Sequence, residues 1–164
     1  MAEYMYMPTE MRDAVAARID KLREDIAQSI SSHGLTASGK TAASMYVVVS
    51  DKEVSLYGRA FFPALETGSS RWTGATGVRC TFTEFKDIIR NWATAKGLNF
   101  GQAHEWDKAV SAIAMKIIKK GTMQKSKPRL DVYTSLVNEA VADCEALCLD
   151  VVNAQVHNLI AKWS

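Results

Sequence analysis

Residues 34–41 read Gly-Leu-Thr-Ala-Ser-Gly-Lys-Thr, a full match to the phosphate-loop pattern G-x-x-x-x-G-K-[ST]. In a working phosphate loop, Lys40 would bind the nucleotide phosphates and Thr41 would bind magnesium. Such a loop needs a strand leading into it and a helix leaving it, because the helix N-terminus turns its amide groups toward the phosphates. The flanks of residues 34–41 therefore decide both the local fold and the meaning of the motif.

The upstream flank has the pattern of an amphipathic helix. Thr9, which follows Pro8, is a suitable N-cap, and Gly34 is suited to the left-handed conformation that ends a helix. Between them, apolar residues recur at spacings of three and four, which places them on one helical face. These residues are Met11, Val15, Ile19, Leu22, Ile26 and Ile30.

The downstream flank predicts a strand, because residues 45–49 are rich in β-branched and aromatic side chains. The order is helix, loop and strand, the reverse of what phosphate binding requires. We therefore expect residues 34–41 to form a bend of small residues and Lys40 to lie on the surface. A nucleotide-binding protein that uses Gly34–Thr41 remains an alternative.

A β-hairpin is predicted next, with strands at Ser44–Ser50 and Glu53–Arg59 joined by a polar turn around Asp51 and Lys52. Val54 and Leu56 alternate with more polar residues, the pattern of a strand with one buried face. Residues 60–80 then form a long connection, and connections of that length are often functional. Its aromatic and charged side chains, together with Arg59 just before it, are our candidate contacts with other copies or partners: Arg59, Phe61, Phe62, Glu66, Arg71 and Trp72.

Three further helices are predicted. With the hairpin they give an α+β fold class. We expect one domain spanning 1–164, with residues 1–8 as an arm. The first opens with a Thr81–Glu84 capping box, places four side chains on one face and ends at Lys96-Gly97. Those four are Phe85, Ile88, Ile89 and Trp92. The second runs from Glu105 to Lys119 and is closed by Gly121, with Trp106, Val110, Ile113, Ala114 and Ile117 facing inward.

The last predicted helix runs from Leu130 to Trp163. At 1.5 Å per residue it would be about 50 Å long if unbroken, longer than a domain of this size needs. We therefore expect part of it to pack on another chain, the alternative being a break near Asn153.

Charge is unevenly distributed although the net charge is only +2. Residues 108–129 contain seven basic and no acidic side chains, and residues 131–150 contain five acidic and no basic ones. The two blocks could compensate each other within one molecule, support contacts between copies, or bind a polyanion. Candidate contacts with a polyanion or an acidic neighbour are Lys116, Lys119, Lys120, Lys125 and Lys127. A small nucleic-acid-binding module that uses Lys108–Arg129 is thus a second alternative.

The sequence predicts no catalytic, cofactor-binding or metal-binding residues. His33, His104 and His157 belong to no metal-binding pattern. Cys144 and Cys148 lie four residues apart but have no further ligand nearby, so small core residues are the simpler interpretation. With Cys80 they make an odd count, which suits reduced thiols in a cytosolic compartment. No apolar run approaches the roughly 18–20 residues of a membrane span, and the N-terminus lacks the features of a secretion signal.

The order of these elements resembles the tail-completion and neck proteins of tailed bacteriophages. In that family a Thr-Gly-x-Leu-x-x-Ser bend precedes the first strand, and Ser38-Gly39 and Ser44 stand at the matching places, with Thr41 in place of Leu. A Tyr-x-x-Glu-x-Gly segment follows the hairpin, and Ala64–Gly68 corresponds to it without the aromatic residue. The helix ending in Trp92 and the run Ala112–Gly121 are similar to a variant from phages of gut Bacteroidetes (crAss-like phages).

The resemblance implies a virion structural protein without catalysis, made in the host cytoplasm. It would form a homo-oligomeric ring at the neck or tail top and join the portal side of the capsid to the tail. DNA passes through the lumen of such rings, so the basic stretch could face DNA or an acidic neighbour. Partners would be other copies and the portal-side and tail-side proteins, with no membrane and no cofactor.

Overall fold

The computed structural model describes residues 6–59, 62–69, 80–122 and 127–163. The fold class is α+β, as the sequence predicts. The helices are α1 (Thr9–Ser32), α2 (Lys40–Ala43), α3 (Ala64–Thr67), α4 (Phe82–Ala95), α5 (Ala103–Lys120) and α6 (Thr134–Trp163), and the strands are β1 (Tyr46–Val49) and β2 (Val54–Tyr57). The chain divides into two compact units: 1–32, 42–58 and 132–164 form the first, and 33–41 and 59–131 the second.

The first unit packs α1 against α6 and the hairpin. Val15, Leu22, Ile26 and Ile30 are buried at spacings of seven, four and four, so the predicted stripe of α1 faces the core. Burying an aliphatic side chain of this size stabilises a fold by roughly 1.5–3 kcal/mol. This stripe is therefore the main apolar contribution of α1 to the unit.

The hairpin is antiparallel and its register pairs Tyr46 with Tyr57 and Val49 with Val54. Ser50 closes the predicted turn because its hydroxyl oxygen accepts hydrogen bonds from the backbone N–H groups of Lys52 and Glu53, at 3.3 and 3.1 Å. The strands are shorter than predicted by two residues or less at each end. The prediction of a hairpin is confirmed.

The predicted bend follows α1 directly. Gly34 has φ 65° and Gly39 has φ 71°, a backbone conformation that glycine adopts without steric cost. The short helix α2 then leads to β1, and Lys40 is exposed. The helix α1 lies upstream and the strand β1 downstream of residues 34–41, as predicted, but the one-turn helix α2, which begins inside the motif at Lys40, was not predicted.

The second unit has its core between α4 and α5. Phe85, Ile89, Val110 and Ala114 are buried together, and Trp106, Ile113, Ile117 and Ile118 pack against them. The four side chains of α4 that were predicted to share one face lie within about 100° of the helix. Only part of that face is buried, because Ile88 and Trp92 are exposed whereas Phe85 and Ile89 are not. The buried residues of α4 are Phe85, Ile89 and Ala93, at spacings of four.

The helix α6 is continuous over 30 residues, about 45 Å, and does not break near Asn153. It begins at Thr134 and not at Leu130 as predicted. The residues before Thr134 are engaged elsewhere, and the Leu130 backbone N–H donates to the Glu66 carbonyl oxygen at 3.1 Å. That bond engages Leu130 outside the helix.

Candidate interaction surfaces

The predicted contact residues around the long connection lie in different environments. Arg59 is exposed and Phe62 is partly buried. Phe61, Arg71 and Trp72 lie outside the described residues, so their predicted roles stay predictions. Phe62 also begins the local chain reversal that leads into α3, because its carbonyl oxygen accepts from the Leu65 N–H at 3.0 Å.

Glu66 does not share the exposure of Arg59. Its side chain is 0% exposed, and its Oε2 accepts hydrogen bonds from Nε and Nη2 of Arg129 at 2.9 and 2.5 Å. A buried carboxylate needs such donors, because an unpaired charge in the interior is costly. Glu66 therefore serves the packing of its own unit, and its side chain is not available for the contact with another chain that we predicted.

Further hydrogen bonds tie residues 66–69 to residues 122–130. The Thr122 N–H donates to the Ser69 carbonyl oxygen at 2.7 Å, and the Ser69 N–H donates to Thr122 Oγ1 at 2.9 Å. With the Leu130–Glu66 bond, these contacts join segments more than fifty residues apart. The Glu-Thr-Gly segment thus has a structural role that sequence reasoning missed, since no local spacing relates Glu66 to Arg129.

The predicted basic contacts are exposed where the structure describes them. Lys116, Lys119 and Lys120 lie on α5, Lys127 follows it, and Lys125 lies outside the described residues. At about 100° per residue, the three lysines of α5 cover an arc of roughly 100° on the side away from buried Val110 and Ala114. Their charges are thus available to a partner.

The basic residues of α4 are engaged differently, with Asp107 at the start of α5. Lys86 Nζ lies 2.9 Å and Arg90 Nη2 lies 3.0 Å from Asp107 Oδ1. The hydrogen bond from Lys86, with the nearby positive charge of both side chains, lowers the pKa of Asp107. These contacts fix the pairing of α4 with α5 and leave both cations less available to a partner.

An apolar groove lies in the first unit, with a volume of about 590 Å³. Its walls come from the chain before α1, from α1 itself, from β2 and from the middle of α6. The lining residues are Met7, Val15, Ile19, Val54, Val141, Cys144, Glu145, Cys148 and Leu149. Glu145 is the one charged side chain of that lining, so the groove suits an apolar occupant.

The second half of α6 is a solvent-exposed surface that continues from this groove. Every residue from 152 to 159 is exposed, and Leu149, Val152, Val156 and Leu159 are 46% to 62% accessible. Single exposed apolar residues are ordinary, but a contiguous apolar stripe marks an interaction surface. The prediction that α6 is longer than its own packing requires agrees with this exposure.

The hairpin presents a smaller apolar surface. Tyr46 and Tyr57 are paired across the strands and stack with ring centroids 5.4 Å apart, and both are exposed. Cross-strand aromatic pairs stabilise a hairpin by a few tenths of a kcal/mol to about 1 kcal/mol. A role in holding the hairpin together explains this pair.

The described part of the chain holds no group of three or more His, Cys, Asp or Glu residues that could bind a metal ion. Burial raises the pKa of the Cys144 thiol, with the positive charge of Arg18 opposing it, so the thiolate form is disfavoured at neutral pH. Within the same residues, none of the helices combines the length and the apolar character of a transmembrane segment.

No protein-family model matches the chain, and no curated protein and no solved structure matches it either.

Proposed function

We propose that this chain is a non-enzymatic virion structural protein that forms a homo-oligomeric ring at the neck or tail top of a tailed bacteriophage. The ring would join the portal side of the capsid to the tail. The observation that supports it best is the 30-residue helix α6, whose second half exposes an apolar stripe. A helix of this kind suits packing between subunits, where apolar side chains leave water.

The order of elements supports the same proposal. A long helix, a bend with Ser38-Gly39, a hairpin and a Glu-Thr-Gly segment follow one another as in the neck proteins that the sequence resembles. The exposed lysines of α5 suit an acidic neighbour or DNA in the lumen of a ring. Both nucleotide binding and sequence-independent nucleic-acid binding are alternatives that need different experiments.

The test is assembly of the purified chain, alone and with the portal protein encoded by a neighbouring reading frame. Sedimentation velocity and negative-stain electron microscopy are expected to reveal closed rings, either directly or on the portal. A chain that stays monomeric at every concentration and binds no virion component would contradict the proposal. Retardation of DNA that disappears as salt rises, without any ring, would favour the nucleic-acid-binding module instead.

A further inference from the structure

We infer that the apolar groove of one copy binds the second half of α6 from another copy. The inference rests on the proposed self-association and names the contact that would produce it. We call residues 152–159 of α6 the end segment. The groove is the one lined by Met7, Val15, Ile19, Val54 and the 141–149 portion of α6.

The end segment has the side-chain pattern of a helix–helix contact. Val152, Val156 and Leu159 follow Leu149 of the groove at spacings of three, four and three, the spacing of apolar residues in a coiled coil. We call these four residues the seam. At about 100° per residue these four residues fall within an arc of roughly 80°. Val141 and Cys148 of the groove lie on or beside the same arc. Glu145 lies within it, so the apolar stripe that joins the groove to the end segment is interrupted by this one carboxylate.

The end segment carries no charged side chain, which indicates that it binds a protein surface. Residues 151–161 include no Asp, Glu, Lys or Arg. Helices that lie on membrane surfaces are rich in Lys and Arg on their polar face, and nucleic-acid contacts need the same side chains. The polar face here carries neutral groups, among them Asn153, Gln155 and Asn158, so a lipid or nucleic-acid surface has nothing to attract it.

A second copy is the occupant that fits the groove. The groove has apolar walls with one carboxylate, Glu145, and therefore accepts a helix that is apolar and lacks acidic side chains. The end segment meets that requirement and belongs to the same chain. Because the end segment and the groove are largely different residues, copies can join head to tail as well as reciprocally, and head-to-tail contacts form a ring when the rotation between copies closes.

The area suits a specific contact in the reciprocal form. Residues 141–159 of α6 extend over about 27 Å, and one half of a helical surface of that length is roughly 450 Å². When each copy offers both its end segment and its groove, burial on both copies gives about 900 Å², and the groove walls from α1 and β2 add to it. A single head-to-tail contact uses one end segment and one groove and buries about half as much. Specific interfaces bury at least about 1,000 Å² in total.

The first experiment adds charge to the seam. The double variant Val156→Glu/Leu159→Glu places carboxylates on the stripe. The matched control, Ala154→Glu/Asn158→Glu, places the same charge on the opposite side of the same helix. In sedimentation velocity, the unmodified chain and the control are expected to self-associate alike. The seam variant should have a dissociation constant at least tenfold higher, while circular dichroism shows equal helix content.

Failure of this inference and failure of the proposed function give different results. Self-association that the seam variant leaves unchanged would overturn the contact and leave the ring proposal standing. A monomer at all concentrations, for the unmodified chain alone and with the portal protein, would overturn both.

The second experiment maps the contact. Val156→Cys is made in a Cys80→Ser/Cys144→Ser background. The chain then has two thiols that can form a disulfide, native Cys148 and the one introduced at position 156. Within one chain these positions are about 12 Å apart along the helix, too far for a disulfide. A disulfide between positions 148 and 156, found by peptide mapping after mild oxidation, is expected, and Asn158→Cys in the same background should give none.

The pattern of cross-linked species completes the test. A ladder beyond the dimer would support the contact in head-to-tail form, as a ring needs. Dimers alone would support the contact in reciprocal form and count against the ring. Disulfides that join only position 156 to position 156 would overturn the groove as the binding site.

Discussion

The carboxylate of Glu66 is fully buried and accepts two hydrogen bonds from Arg129, a residue 63 positions further along the chain. The arginine side chain is itself 58% exposed. The pair therefore lies at the boundary between the interior of the second unit and solvent. It holds α3 against the segment that precedes α6, and Glu66 would be a poorly solvated charge without it.

Arg129→Met is expected to destabilise the second unit by about 2 kcal/mol. Removing one partner of a buried ion pair costs roughly 3–5 kcal/mol, and the exposure of Arg129 reduces that cost. Hydrogen exchange of the Leu130 amide and urea denaturation measure the effect. Lys127→Met removes a nearby exposed charge and should change the free energy of unfolding by less than about 0.5 kcal/mol. Equal effects of the two substitutions would contradict the role assigned to the pair.

Thr81→Ala is expected to fray the start of α4. The Thr81 hydroxyl oxygen accepts a hydrogen bond from the Glu84 N–H at 3.3 Å, and the Thr81 N–H donates one to Glu84 Oε2 at 2.7 Å. Losing an N-cap of this kind costs about 1 kcal/mol. Thermal unfolding followed by circular dichroism measures the loss of stability. The control is Thr83→Ala, which replaces the second residue of α4 and leaves the N-cap intact. A Thr81→Ala variant as stable as that control would mean that the cap contributes nothing.

The stability of the α4–α5 pair is expected to fall in acid through Asp107. Lys86, and then Arg90, hold the pKa of Asp107 below its ordinary value in the folded chain. A lowered folded pKa stabilises the fold above the unfolded pKa of about 4, and this contribution is lost as pH falls through the folded value. Thermal midpoints between pH 6 and pH 2 should therefore fall more steeply for the unmodified chain than for Asp107→Asn. Parallel curves would contradict this assignment.

The fold was largely readable from the sequence where periodicity is local. The stripe of α1, the cap at Thr81 and the turn at Ser50–Glu53 each depend on residues a few positions apart. Sequence reasoning failed where the determinant is distant: the late start of α6 accompanies a bond from Leu130 to Glu66, and the exposure of Trp92 depends on how α5 covers α4. The groove was missed for the same reason, since it combines α1, β2 and α6. The excess length of α6 was foreseeable, because helix length follows directly from spacing.

We expect neither the unmodified chain nor Lys40→Ala to bind nucleotides. Lys40 is exposed, α1 and not a strand leads into the motif, and α2 has only four residues. Few helical amide groups therefore converge where a phosphate would lie. Calorimetric titration with ATP and magnesium should show no saturable heat for either protein. Saturable binding that Lys40→Ala abolishes would restore the phosphate-loop interpretation.

Cys144 is expected to react slowly with iodoacetamide at pH 7.5. Burial raises the pKa of its thiol, so the reactive thiolate is scarcer than in an exposed cysteine. Peptide mapping should find faster alkylation of Cys144 in urea than in the folded chain, and faster alkylation of the folded chain as pH rises.

Cys144 also lines the groove, so a second copy bound there should slow its alkylation as protein concentration increases. Val156→Glu/Leu159→Glu should abolish that concentration dependence and leave the rate in dilute solution unchanged. If the concentration dependence survived in the seam variant, the end segment could not be what covers Cys144.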